Sequence, residues 1–229
     1  VALLLLVAGC GGGAPLLHPA HVLAPGFVAF GAGASGQLVT NPSPSAKSEP
    51  MRRVSMAPGV APVVAARIGV PGSNEVGLTY SGRSTRIDAR HAFQRRDVAL
   101  SVGLGASMVL PSRPPGDASK NDVVGGGADV PIVIGARSQA DAYAVWAGAR
   151  SGFELLSGSI PGPAATPRDA SARHVYAGGL VGARAGFRHV HVAVEVDAAY
   201  HRAWGTIGAD ELTVDGFALT PSGALIVTF

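Results

Sequence analysis

Val190-His191-Val192-Ala193-Val194-Glu195-Val196-Asp197-Ala198-Ala199-Tyr200 alternates without a break. Val190, Val192, Val194, Val196, Ala198 and Tyr200 share one parity, and His191, Ala193, Glu195, Asp197 and Ala199 the other. A period of two puts successive side chains on opposite faces, so the stretch is a β-strand with one apolar and one polar face. Taken alone, it suits a soluble sheet with the valines buried as well as a strand with the valines in lipid.

The rest of the chain separates those two cases. Its 229 residues suit one domain or one barrel, and only 14% are charged. Mean hydropathy is +0.30, apolar for a water-soluble domain. Beyond the first ten residues no unbroken apolar run reaches the roughly 18 that a spanning helix requires. A chain that is apolar overall but never in one long run fits alternating strands with a lipid-facing side. Thirty-two glycines favour strands and turns over helices. The net charge of +3 is scattered, with no basic run beyond Arg52-Arg53 and Arg95-Arg96, which argues against a nucleic-acid partner.

Ten strand-like segments follow Pro25: Phe27–Val39, Pro62–Val70, Glu75–Ser81, Ser84–Phe93, Val98–Leu110, Val130–Arg137, Ala142–Leu156, Arg173–Ala185, Val190–Trp204 and Pro221–Phe229. Eight or twelve strands are the neighbouring counts. Four connections are tight: Pro71–Asn74, Gln94–Asp97, Ser138–Asp141 and Gly186–His189. Four are long and polar or proline-rich: Thr40–Gly59, Pro111–Asp129, Ser157–Ala172 and Gly205–Thr220. Tight turns follow even-numbered segments and long loops odd-numbered ones, with Gly82-Arg83 as the exception. That asymmetry predicts an all-β, antiparallel up-and-down transmembrane β-barrel with short turns at one end and long loops at the other.

The aromatic residues agree. Phe30, Phe93, Tyr143, Phe187 and Phe229 fall toward the tight turns, and Tyr80, Phe153, Tyr200 and Trp204 toward the loops. Rings gathered near strand ends on the apolar parity predict two girdles at two membrane–water interfaces.

The polar parity collects Arg67, Glu75, Arg86, Asp88, Arg90, Arg137, Arg150, Glu154, Arg184, Glu195 and Asp197. Inside a narrow barrel such charges must pair, and the planar fork of arginine can bridge two carboxylates. The small residues Ser101, Gly103, Gly105 and Ser107 would leave room for the long arginines opposite. A balanced set predicts a lumen filled by an Arg/Asp/Glu ionic network rather than an open selective pore.

Both ends carry resemblances. Ser222 through Phe229 resembles the C-terminal assembly signal of outer-membrane barrels, with Ser222 at the polar place, Val227 at the hydrophobic one and Phe229 as the terminal aromatic. Ala224 stands where glycine is usual. At the start, Leu3–Val7 and Ala8-Gly9 before Cys10 resemble the lipobox of bacterial lipoproteins. Cys10 is also the single cysteine, which excludes an internal disulfide. No Met or basic region precedes Val1, so a truncated start is expected. The resemblance implies residues 1–9 as a signal-peptide remnant, 10–26 as a lipidated linker and 27–229 as the barrel. It further implies a Gram-negative outer-membrane location, a lipid-anchored N-terminus on the periplasmic side, and the outer-membrane lipid and barrel assembly machinery as partners.

Nothing in the chain points to a reaction. His191, Glu195 and Asp197 share a strand but read as members of the lumen network, and no His-x-Ser pair of the lipid A deacylase type occurs. No cofactor or metal is expected, and Gly125-Gly126-Gly127 has no helix after it to cradle a phosphate. The expected function is an outer-membrane β-barrel lipoprotein with a structural or narrow-passage role, not an enzyme. The alternatives are a soluble periplasmic lipocalin-like lipoprotein holding an apolar ligand, and a small porin.

Overall fold

In the computed structural model, residues 11–40, 48–111, 122–161 and 166–229 are described. Ten strands form one closed barrel: β1 (Val28–Val39), β2 (Gly59–Val70), β3 (Asn74–Tyr80), β4 (Ser84–Arg95), β5 (Val98–Val109), β6 (Val124–Arg137), β7 (Tyr143–Pro161), β8 (Pro167–Phe187), β9 (Val190–Ile207) and β10 (Asp210–Thr228). Each strand pairs antiparallel with its chain neighbours. β1 closes on β10, with Ala29 opposite Thr228 and Ser35 opposite Ser222. Closure removes the unpaired edges that an open sheet would leave. One helix, α1 (Glu49–Met56), lies between β1 and β2.

The tight turns are built by backbone that twists the way hairpins need. Ser73, Arg96, Asp141 and Arg188 all have φ between 52° and 58°, one in each of the four. Left-handed residues at such positions match the right-handed twist of the flanking strands.

The long-loop end differs from expectation in all four expected loops. Within the expected loop Ser157–Ala172 the described stretches 157–161 and 167–172 are strand; Gly205–Thr220 is mainly strand, and so is Val124–Asp129, which includes the triple glycine. α1 sits inside the expected loop Thr40–Gly59. Consequently β7 to β10 run 18–21 residues, well beyond the roughly 9–11 that cross a bilayer.

The reason is a reversal of polarity along these strands. Between the tight turns and the level of Phe153, Tyr200 and Phe217, apolar side chains face out. Val181, Val192 and Val194 are each more than half exposed, while Glu195, Arg150 and Arg184 face in. Above that level Leu155 and Trp204 still face out, but beside them the outward positions become Ser157, Ser171, Arg173, Arg202 and Thr213. The inward ones become Leu156, Ile160, Ala170, Ala172, Ala203, Ile207 and Val214, which form one buried cluster with Met51 and Met56 of α1. The barrel is inside-out near the tight turns and has ordinary soluble polarity beyond. α1 caps the soluble part with its apolar face.

The aromatic rings mark the same level. Tyr143 and Phe153 on β7 both point outward, 60% and 49% exposed, ten residues apart. Phe30, Phe93, Phe187 and Phe229 are exposed near the tight turns; Tyr80, Tyr200, Phe217 and Trp204 are exposed toward the other end. Phe30 and Phe229 stack edge to face across the closing seam, with centroids 6.3 Å apart.

Candidate functional site in the barrel lumen

The lumen is threaded by the chain's own N-terminal segment. Gly12 N–H donates to Ala57 O at the long-loop end (2.9 Å), and Gly26 N–H donates to Gly69 O beside the tight turn after β2 (2.9 Å). Between them residues 11–22 are buried almost throughout. The segment expected as a linker is therefore, over its described part, a plug. Cys10 lies outside the described residues. Its neighbour Gly11 packs against Ala57 and Pro58, at the opposite end from the expected periplasmic anchor.

An irregular segment within a wall of strands must find partners for its backbone groups, and the wall supplies them. Glu195 accepts from Leu16 N–H (2.7 Å) and Leu17 N–H (3.0 Å), and Glu75 from Leu23 N–H (2.9 Å). In the other direction Arg90 donates to Pro19 O and to His21 O, and Arg150 to Ala14 O. Leu16, Leu17 and Ala20 pack on an apolar sector of the wall that includes Val133, Trp146, Leu180 and Ala193.

Facing that sector is a continuous ladder of buried ion pairs. Glu75 takes Arg90 (2.8 Å) and Arg67; Arg67 reaches Asp88 (2.5 Å); Arg86 bridges Asp88 (2.6 Å) and Asp129 (2.7 Å); Arg150 joins Asp129 (3.0 Å). Four guanidiniums thus meet three carboxylates, and spare donors of Arg90 and Arg150 go to plug carbonyls. Space for the forks comes from glycine: a Cβ at Gly105 would collide with the Arg86 guanidinium, and one at Gly77 with that of Arg67.

The remaining expected residues lie elsewhere. Glu195 makes no ion pair among the described residues; besides the plug it accepts from Trp146 Nε1 (2.9 Å). Glu154 belongs to a separate group at the long-loop end, taking Arg83 (2.9 Å) and His174 Nδ1 (3.0 Å), with His174 Nε2 2.9 Å from His201 Nδ1. Asp197 lines a cavity of about 60 Å³ there, together with Arg150 and Tyr176. Arg184 pairs with Asp141 of a tight turn (2.6 Å), and Arg137 faces a larger cavity at that end. Ser222 points inward and donates to Ser35 Oγ (2.9 Å), whereas Phe229 is 68% exposed and Val227 half-buried.

Two functional residues escape the sequence reading. Asp129, which joins Arg86 to Arg150, falls in the expected loop Pro111–Asp129; its parity with Val133 and Arg137 is the available signal. His174 shares a parity with Tyr176, Leu180 and Arg184, which obscured the inward face of β8. Among the described residues no three His, Cys, Asp or Glu side chains gather as a metal set.

No family model matches the chain, and no curated protein matches it. Among solved structures it is similar to neisserial surface protein A, with 14% identity, coverage of 89% of this chain and 96% of that one, and a TM-score of 0.37. It is also similar to the β domain of the Bordetella autotransporter BrkA, with 11% identity, coverage of 89% and 100%, and a TM-score of 0.36. At these values neither likeness bears on function.

Proposed function

We propose that the chain is an outer-membrane β-barrel of a Gram-negative bacterium, with a structural role and a lumen closed by its own N-terminal segment on an Arg/Asp/Glu network. The observation that carries this reading is the polarity reversal at the level of Phe153, Tyr200 and Phe217. Below it the barrel presents valines outward and charges inward, which lipid favours and water does not. The ten-residue spacing of Tyr143 and Phe153 fits one hydrocarbon thickness for a tilted strand. A carrier of apolar ligands would need an apolar lumen, and here Arg86, Glu75 and the plug occupy it.

Insertion through the barrel assembly machinery is part of the proposal, with Ser222, Val227 and Phe229 as the signal it reads. Acylation of Cys10 fits with one change. While the plug is seated, an anchor there is tethered at the long-loop end, not at the tight turns.

The test is a gel of protein refolded in detergent, run with and without boiling, followed by planar-bilayer recording. A heat-dependent mobility shift with a closed baseline is expected. Identical bands from protein soluble without detergent would overturn the reading. Cys10→Ser should abolish palmitate incorporation and leave the mobility shift intact; continued labelling would remove the anchor from the proposal.

A further inference from the structure

At the tight-turn end the plug does not fill the barrel. A cavity of about 260 Å³ remains between Leu17–Ala24 and the wall residues Glu75, Arg90, Arg137, Asp141, Arg184 and His191. Four side chains on this cavity are more than nine-tenths buried and carry nitrogens with no hydrogen-bond partner: His18 Nε2, both ring nitrogens of His21, His191 Nδ1 and Arg184 Nε. Buried polar atoms left unpartnered cost about 1–3 kcal/mol each, and their concentration around one space marks a site able to bind a polar ligand.

The charge around the space identifies the guest. Its two carboxylates are already engaged, Glu75 by Arg67 and Arg90 and Asp141 by Arg184. Arg137 makes no ion pair or side-chain hydrogen bond among the described residues. Exposed Arg188 and His189 stand at the rim. The net field is positive, and donors approach from the plug on one side and from β6, β8 and β9 on the other. Converging cationic and ring N–H donors match an anion with several acceptor oxygens.

We infer that this cavity is a binding site for a small free phosphate compound, entered from the tight-turn mouth and held by Arg137, Arg184, His191 and His21. A lipid headgroup offers the same chemistry, but the wall beside the cavity is a hydrogen-bonded sheet through which acyl chains do not pass. Because His18 and His21 belong to the plug, a bound phosphate would also fasten the plug to the wall. The inference rests on the closed lumen alone, not on the membrane location.

The experiment is calorimetric titration of the full chain, refolded in a maltoside detergent without phosphate, against inorganic phosphate, glycerol phosphate and dihexanoyl phosphatidic acid. Saturable binding of the first two near one per barrel is expected. Arg137→Gln should weaken it by about tenfold or more, the scale of one charge-assisted contact, while exposed Arg95→Gln should leave it unchanged. Binding of the phosphatidic acid alone would overturn the free-phosphate assignment, and no saturable heat from the wild type would overturn the site. The wild-type titration decides the matter even where a variant does not fold. The heat-shift gel on the same sample reports the barrel separately.

Discussion

Glu195, on β9, holds the backbone of Leu16 through a 2.7 Å hydrogen bond between residues 179 positions apart. The same carboxyl accepts from Leu17 and from Trp146. Among the described residues it thus ties the apolar stretch of the plug to the apolar sector of the wall. Glu195→Ala would leave three buried N–H donors unpaired, at about 1–3 kcal/mol each where no water replaces the acceptor. The plug should then loosen before the wall does. Bilayer recordings should show a closed wild type and intermittent openings in the variant, with the heat-shift gel still normal. A variant as silent as the wild type would mean that Glu195 does not hold the plug.

Asp129 has a different task, because it ties wall to wall. From β6 it joins Arg86 of β4 and Arg150 of β7 along one side of the lumen. Removing one partner of a buried pair leaves an uncompensated charge and costs about 3–5 kcal/mol. Asp129→Asn should therefore lower the unfolding midpoint in urea more than Asp197→Asn, since Asp197 makes no direct ion pair among the described residues. Equal shifts would show that the ladder does not act as a connected unit.

The polarity reversal predicts where a new charge is tolerated. Val194 points outward on β9, four residues above Val190 and six below Tyr200, within the apolar band. Ser171 points outward above the band, with its hydroxyl 3.0 Å from that of Thr206. In vesicles, Val194→Arg should cost about 2–4 kcal/mol and Ser171→Arg about 0–1. Both sites are exposed, so a water-soluble barrel would accept either change equally. Equal unfolding free energies would place the band in water.

The same reversal explains what the sequence shows and what it hides. β9 is legible from Val190 to Tyr200 because its valines keep one parity against His191 and Glu195. Past Tyr200 the sense flips: Val214 and Leu212 turn inward while Asp215 and Thr213 turn outward. A search for apolar-out alternation therefore reads Gly205–Thr220 as loop. Asp129 was hidden because Gly125-Gly126-Gly127 ahead of it carries turn residues without a period. The plug has no period at all, since Leu16, Leu17 and Leu23 follow the wall's acceptors. Its tie to Glu195 depends on contacts that only the closed barrel creates. Ladder members on the legible strands, Arg67, Glu75, Arg86, Asp88, Arg90 and Arg150, could be found by parity alone.

α1 offers a pH test outside the membrane-spanning part. The hydrogen bonds of Arg52, seconded by Arg53, draw the Glu49 carboxyl down to about 2 from its ordinary 4.5. A depressed folded value contributes stability that is fully present above 4.5 and is lost as pH falls through about 2. At this exposure the pairs contribute about 0.3–1 kcal/mol, enough to change how often α1 lifts. Met51 and Met56 lie beneath the helix, 1% and 0% exposed, while Met108 is 57% exposed. Peroxide oxidation followed by mass spectrometry should thus spare Met51 and Met56 at pH 6, with Met108 as internal reference. Their protection should fall several-fold between pH 4.5 and pH 2. Glu49→Gln should show the weaker protection already at pH 6 and little further change on acidification. Protection that declines equally in wild type and variant would assign the pH response to groups other than Glu49.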